Sequence, residues 1–175
     1  MQGTVNRWIW ITGVCLAALI AMAAGPASRA VDTTATTQPA ATQPVAFDVY
    51  GGYFVSNQFE PDAPRSFVVA RDRARFDAVF GAGFVMHDRS HRLADDVFDK
   101  SIVAAAIKRG NQLWNFAMTG ATVADGVLTI SYTAKADPPD TAQFSSPLIV
   151  SVPKGDYEEI RFEENGKVVS PQGLK

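Results

Sequence analysis

The sequence is poor in the residues from which reactive and metal-binding sites are most often built. Its only cysteine is Cys15, and its only histidines are His87 and His91. Cys15 lies in an N-terminal apolar segment, and removal of that segment leaves a chain without cysteine. Such a chain forms no disulfide and carries out no thiol chemistry, even in an oxidising compartment. A G-x-S-x-G motif is also missing, which removes the usual sequence support for a serine hydrolase.

The first thirty residues have the three-part layout of a secretory signal peptide. A short segment with Arg7 precedes an apolar run over residues 8–24, and the small residues Ser28 and Ala30 precede a cut after residue 30. We therefore expect an exported protein, periplasmic or extracellular, that lacks residues 1–30. An uncleaved run of roughly 17 apolar residues is at the lower limit for spanning a bilayer, so an inner-membrane anchor is the alternative.

Residues 31–45 (VDTTATTQPAATQPV) are predicted to form a disordered tether, because they contain too little apolar surface to offset the entropy of ordering. Residues 46–175 remain as a single domain. Removal of Arg7 and Arg29 lowers the 16 basic residues to 14, against 18 acidic ones, for a net charge of −4. The scattered, mildly acidic charge argues against binding to nucleic acid, or to a membrane after signal cleavage.

The domain is predicted to contain mostly strands and one short helix. Residues 47–55 (FDVYGGYFV) place β-forming residues on both sides of a glycine pair that indicates a bend. Residues 66–70 predict a short strand, and the apolar residues 101–107 predict a central strand, with a helix as the alternative. The helix is expected to begin after the N-cap Asp72, since Phe76, Val79 and Phe80 have helical spacing, and to end at Gly81 and Gly83.

Two hairpins are predicted near the C-terminal end. Asp125-Gly126 and Asn165-Gly166 are typical of two-residue turns in which both residues have positive φ. Between them, Leu128, Ile130 and Tyr132 alternate with polar residues, so they are expected to face the core. The predicted class is α+β, with a mostly antiparallel sheet of about seven strands, sandwich-like or an open barrel, and one short helix packed on it.

The order of these elements resembles the C-terminal domain of the PrcB-type protease-complex subunits, a family of secreted bacterial modules. The residues that carry the resemblance are Phe76 in the helix, Phe98-Asp99-Lys100-Ser101 at the start of a strand, and the late strand from Ser146-Pro147 to Val152-Pro153-Lys154. The similarity covers roughly residues 67–167. Residues 111–120 (NQLWNFAMTG) replace the family's Gly-rich stretch, which puts a shared binding surface in doubt. The resemblance implies a non-catalytic accessory module that binds another envelope or secreted protein, such as a protease.

The segment HDRSHRLADD, His87 to Asp96, is the only stretch that could form a metal site. His87 and His91 share a face on a helix or on a strand, but a zinc site needs further ligands. Those would come from Asp88, Asp95 and Asp96, and Arg89 and Arg92 would repel the ion. We interpret the segment as a polar loop with paired charges, and a metal-dependent binding protein or hydrolase is the alternative. A triad of one of these histidines with Ser90, Ser145 or Ser146 has no motif behind it.

Two further groups of residues could serve function or structure. Glu158-Glu159 and Glu163-Glu164 are predicted to be solvated side chains that protect strand edges. Trp114 and Phe116 lie on one side of a strand, where they either pack in the core or, if exposed, anchor a partner. The sequence therefore predicts no catalytic residue, no metal ligand and no cofactor, and it favours an exported interaction domain over an enzyme.

Overall fold

The computed structural model describes residues 41–83, 91–171 and 173. Its two helices are α1 (Arg73–Asp77) and α2 (Val97–Lys100). Its strands are β1 (Gln43–Pro44), β2 (Asp48–Tyr50), β3 (Tyr53–Val55), β4 (Arg65–Ala70), β5 (Phe80–Ala82), β6 (Ser101–Gly110), β7 (Trp114–Ala124), β8 (Val127–Ala136), β9 (Phe144–Pro153), β10 (Glu159–Glu164) and β11 (Lys167–Val168).

Two sheets face each other across a shared core. One has the strand order β1-β7-β8-β10-β11 and the other has the order β2-β9-β6-β4, while β3 and β5 form a separate pair. Neighbouring strands are antiparallel except β8 and β10, which are parallel. Both sheets contribute buried side chains to the core, from β6 on one side and from β8 and β10 on the other: Ile102, Ala104, Ala106, Leu128, Ile130, Tyr132, Ile160 and Phe162. The predicted strand-rich, mostly antiparallel α+β class is confirmed.

The predicted count of about seven strands differs from the eleven in the described residues, because five of those strands are only two or three residues long. Such short strands lack the alternation by which a strand is recognised in a sequence.

The central strand β6 is buried on both of its faces. Even-numbered residues such as Ala104 face the core between the sheets, whereas Val103, Ala105 and Ile107 face a second core. That second core lies under α1 and includes Phe76. A strand covered on both faces shows a continuous apolar run instead of alternation, which explains the SIVAAAI pattern and confirms the predicted central strand.

The two predicted hairpin turns are confirmed by their backbone geometry. Asp125 and Gly126 have φ of 49° and 74°, and Asn165 and Gly166 have φ of 51° and 78°. Positive φ at both turn residues matches the right-handed twist of the flanking strands. The alternation in β8 is also confirmed, since Leu128 is fully buried while Thr133 is exposed.

The helix begins where the sequence predicted and ends earlier. The Asp72 side chain accepts a hydrogen bond of 2.7 Å from the Arg75 N–H, which confirms the N-cap. The helix ends at Asp77, and residues 80–82 form β5 instead of a last helical turn. The expected stop at Gly81 and Gly83 was therefore wrong. Gly81 lies beneath the Phe54 ring, where a Cβ atom would come within 2.2 Å of it.

The folded part begins before the predicted boundary at Ala46. Gln43 and Pro44 pair with Val123 and Thr122 of β7, and the Val45 N–H donates to the Ala121 carbonyl. The end of the predicted tether is thus part of a sheet, because extended Pro-containing chain can add to a free strand edge. The predicted signal peptide lies outside the described residues, and within them no helix has the length and apolar character needed to cross a bilayer.

Candidate functional site

The core between the two sheets ends at a buried lysine, Lys108. In β6 the side chains of Ile102, Ala104 and Ala106 point into this core, and the same alternation directs Lys108 there. Lys108 is only 7% exposed. Its Nζ lies 2.7 Å from Oε1 of Glu164, which occupies the matching inward position in β10 of the opposite sheet. The pair therefore joins the two sheets where the apolar core stops.

Glu164 accepts three hydrogen bonds, so its buried carboxylate is well satisfied. Oε1 also accepts from Arg65 Nη2 at 3.1 Å, and Oε2 accepts from the Tyr132 hydroxyl at 3.3 Å. Burial raises the pKa of Tyr132, and the negative charge of Glu164 raises it further. The prediction that Glu163 and Glu164 are solvated is wrong for Glu164, which is 9% exposed. A buried carboxylate persists in a protein when its partners satisfy it in this way.

Trp114 is a further neighbour of the Lys108 ammonium group. The Lys108 Nζ is 3.3 Å from the centroid of the Trp114 ring, a cation–π contact. The backbone N–H of Trp114 donates to Ser146 Oγ at 3.1 Å, which fixes the start of β7 against β9. Trp114 as a residue is half-buried. Trp114 is thus held rigidly in place and keeps part of its surface accessible.

Phe116 is the second of the two aromatic residues for which the sequence left open whether they pack in the core or are exposed. It packs against the core between the sheets, and its ring lies 5.8 Å from that of Tyr132 in an edge-to-face arrangement. Both aromatic residues therefore point inward from β7, but only Trp114 lies at the rim, where the core between the sheets ends at Lys108. Both residues are half-buried, and they differ in their surroundings: Phe116 packs on the core, whereas Trp114 lines an open cavity.

These residues line a shallow cavity that we call the Trp114 depression. It has a volume of about 440 Å³ and is lined by Pro64, Arg65, Lys108, Arg109 and Trp114. Three of these five residues are cationic and one is tryptophan. Such a surface can bind an anionic or aromatic group, and it contains none of the nucleophile and base pairs that covalent chemistry requires.

Arg109 supports the depression from the opposite face of β6. It is the residue after Lys108, so its side chain points away from the core between the sheets. Nη1 donates to the Ala63 carbonyl and to Ser66 Oγ, and Nη2 donates to the Phe59 carbonyl. Burial lowers the pKa of Arg109, while the charge of Glu60 acts in the opposite direction. The guanidinium therefore holds the segment before β4 in place, and with it Pro64, which lines the depression.

The described part of the predicted metal segment, residues 91–96, lies away from the Trp114 depression. His87, Asp88, Arg89 and Ser90 are outside the described residues, so the two-histidine site stays a prediction. For His91, the backbone carbonyl accepts a hydrogen bond from the Gly51 N–H. Within the ranges that the structure describes, no three histidine, cysteine or acidic side chains group together as metal ligands would.

Asp95 and Asp96, the described carboxylates of the predicted metal segment, do not contact the arginine of that segment that the structure describes, Arg92. Asp95 lies 3.9 Å from Arg73 of α1, and Asp96 precedes α2 without a side-chain capping bond. Arg92 donates to the Gly83 carbonyl, and Arg73 donates to the Ala94 carbonyl. Among the described residues, Arg92 is therefore paired with neither Asp95 nor Asp96, and the pairing predicted for Asp88 and Arg89 lies outside the described residues. The arginines stabilise backbone carbonyls, as expected where a loop must satisfy its own polar groups.

Of the other candidate residues, Ser146 and Glu159 have hydrogen-bond partners, and Ser145 and Glu158 are exposed. Ser146 is buried and accepts from Trp114, while Ser145 is exposed. Glu159 forms two hydrogen bonds with Arg161, at 2.7 and 3.1 Å, and this interaction lowers the pKa of Glu159. Glu158 is exposed beside the Asp125-Gly126 turn.

Sequence reasoning missed Lys108, Arg65 and Glu164 as a cluster. The predicted central strand ended at residue 107, before Lys108, and Glu164 was predicted to be one of a solvated pair. One signal could have shown them: both residues continue an alternation of inward-facing side chains, Ile102–Ala106 in β6 and Ile160–Phe162 in β10. Two opposite charges at inward positions predict a buried pair only if the strands belong to facing sheets, which the sequence does not reveal.

Comparison with models of protein families, with curated proteins and with solved structures found no match. The similarity to the PrcB-type subunits therefore stays a prediction.

Proposed function

We propose that the chain is an exported, non-catalytic accessory domain that binds a protein partner at the Trp114 depression. The observation that carries the proposal is the placement of Trp114, whose ring lies 3.3 Å from the ammonium of a buried lysine and which, half-buried as a residue, lines the cavity. Tryptophan and arginine are the residues that most often dominate the free energy of protein binding. Both line this depression, together with a proline.

The site is also preorganised. Lys108 is fixed by Glu164 at 2.7 Å, and the Trp114 backbone is fixed by Ser146 at 3.1 Å. Side chains that are ordered before binding lose less conformational entropy when a partner arrives. A partner would therefore meet a rigid aromatic anchor instead of a mobile one. The signal-peptide layout and the similarity to a secreted protease-complex subunit support a partner in the cell envelope or outside the cell.

Site-directed photo-crosslinking in intact cells tests the proposal. A photoreactive phenylalanine analogue replaces Leu113, which adjoins Trp114 and is 43% exposed. In a matched control it replaces Phe54, which is 55% exposed and belongs to the separate β3–β5 pair. We expect a discrete adduct from position 113, none of the same mass from position 54, and loss of the adduct in Trp114→Ala.

The Trp114→Phe variant separates binding from folding, since it keeps an aromatic ring over Lys108. We expect it to retain a reduced adduct and a melting temperature close to that of the unaltered chain. The proposal is wrong if both crosslinking positions give the same adducts. It is also wrong if a folded Trp114→Ala chain crosslinks as well as the unaltered one.

A further inference from the structure

The Trp114 depression carries more positive than negative charge. Lys108 and Arg65 share a single oxygen of Glu164, at 2.7 and 3.1 Å, so two cations face one carboxylate. Arg109 also lines the depression, but its guanidinium is held on the opposite face of β6 and does not count toward this excess. The whole sequence has the opposite sign, with a net charge of −2. A local excess of positive charge beside a low-dielectric core attracts anions more strongly than the same charge spread over the surface.

Arg65 is the cation that a ligand can reach. Its side chain is 34% exposed, against 9% for the side chain of Lys108. Its contact with a described carboxylate runs through Nη2 alone, and a guanidinium has five N–H donors in a planar fork. That fork matches the two oxygens of a carboxylate. The Arg109 side chain, in contrast, donates to Ala63, Ser66 and Phe59 on the opposite face.

The rest of the lining suits a peptide better than a small acid. Trp114 and Pro64 provide rigid apolar surface next to the guanidinium of Arg65. A free dicarboxylate would leave that surface uncovered, whereas a peptide can place a carboxylate on Arg65 and a neighbouring apolar side chain on Trp114. Apolar contact excludes water from the ion pair and thereby strengthens it.

Building on the proposed function, we infer that the partner element that enters the Trp114 depression is an acidic peptide segment. An aspartate or glutamate carboxylate of that segment binds Arg65, and an adjacent apolar side chain packs on the ring of Trp114.

A peptide-display selection on the full chain tests this inference. Random peptides are selected in parallel on the unaltered chain, on Arg65→Gln and on Lys154→Gln. Lys154 is a matched control, because it is exposed and follows Pro153, at the end of β9 opposite to the Ser146–Lys108 pair. We expect aspartate and glutamate to be enriched on the unaltered chain and on Lys154→Gln. On Arg65→Gln the affinity for the selected acidic peptides should fall about tenfold, as for the loss of a charged hydrogen bond.

Two further measurements separate the charge of Arg65 from its geometry, and a peptide ligand from a free dicarboxylate. Arg65→Lys keeps the charge but not the fork, and we expect it to bind the acidic peptides more weakly than the unaltered chain and more tightly than Arg65→Gln. Succinate serves as a competitor that carries carboxylates without a peptide, and we expect it to displace a selected peptide poorly.

Three outcomes would overturn the inference: selected peptides without an acidic preference or no enrichment at all, an acidic preference that persists on folded Arg65→Gln, or succinate that binds as tightly as the peptides. Failure here is distinguishable from failure of the proposed docking site. If crosslinking at position 113 depends on Trp114 while the selected peptides are neutral, the site stands and only the ligand class is wrong.

Discussion

The buried pair of Lys108 and Glu164 gives the most direct test of the physical reasoning. Their charged atoms lie 2.7 Å apart, and both residues are under a tenth exposed. Coulomb's law with an effective dielectric constant of about 20 gives an attraction of about 6 kcal/mol at that distance. Desolvation of the two ions offsets much of this attraction. We therefore expect a coupling free energy of about 2 to 3 kcal/mol between the two residues.

The perturbations are Lys108→Met, Glu164→Gln and the double variant. Lys108→Met leaves a buried carboxylate with Arg65 as its remaining cation, and Glu164→Gln leaves a buried ammonium beside Trp114. Each single change should lower the free energy of unfolding by about 3 kcal/mol, which is the cost of removing one partner of a buried ion pair. The double variant should cost about 3 to 4 kcal/mol rather than the sum of the two, because it leaves no unpaired charge in the Lys108–Glu164 pair.

Urea denaturation followed by far-UV circular dichroism measures these differences, with unchanged m-values as the sign that the unfolding transition itself is unaltered. The pair Glu159–Arg161 is a matched control, since its N–O distance is also 2.7 Å but both of its side chains are more exposed than those of the buried pair. Its double-mutant cycle should show a smaller coupling than the cycle of the buried pair. Additive costs for Lys108→Met and Glu164→Gln would refute the claim that the two charges stabilise each other across the sheets.

Three other outcomes follow from the same coordinates. Burial and Glu164 raise the pKa of Tyr132 above its ordinary value of 10.0. The contribution of the Tyr132 hydroxyl to stability is therefore complete below pH 10 and is lost as the pH rises further. We expect alkaline denaturation curves to be less steep for Tyr132→Phe than for the unaltered chain. Gly126→Ala should cost about 1 to 2 kcal/mol in thermal or urea unfolding, because φ is +74° there, whereas Gly120→Ala should cost far less at an open position without positive φ. Phe162→Ala should cost about 3 to 5 kcal/mol because Phe162 is fully buried between the sheets, and a loss below about 1 kcal/mol would contradict that packing.

Local structure was largely predictable from the sequence. The turns at Asp125-Gly126 and Asn165-Gly166, the N-cap at Asp72 and the alternation in β8 all depend on residues close together in the chain. Positive φ, capping and side-chain alternation are properties of a few consecutive residues, so their sequence signals are strong. The short helix was only half predictable, since the packing of Phe80 and the contact of Phe54 over Gly81 ended it early.

The candidate site was not predictable, because its members come from β4, β6, β7 and β10 of two different sheets. By itself the sequence determined the exported layout as an expectation, the strand-rich class, and the residues that must face inward. Only the tertiary structure decided that Lys108 and Glu164 meet, since an inward-facing charge in one strand finds its partner through the order and stacking of the sheets. The same stacking left Trp114 half-covered at the rim, where neighbouring residues in the chain give no sign of its exposure.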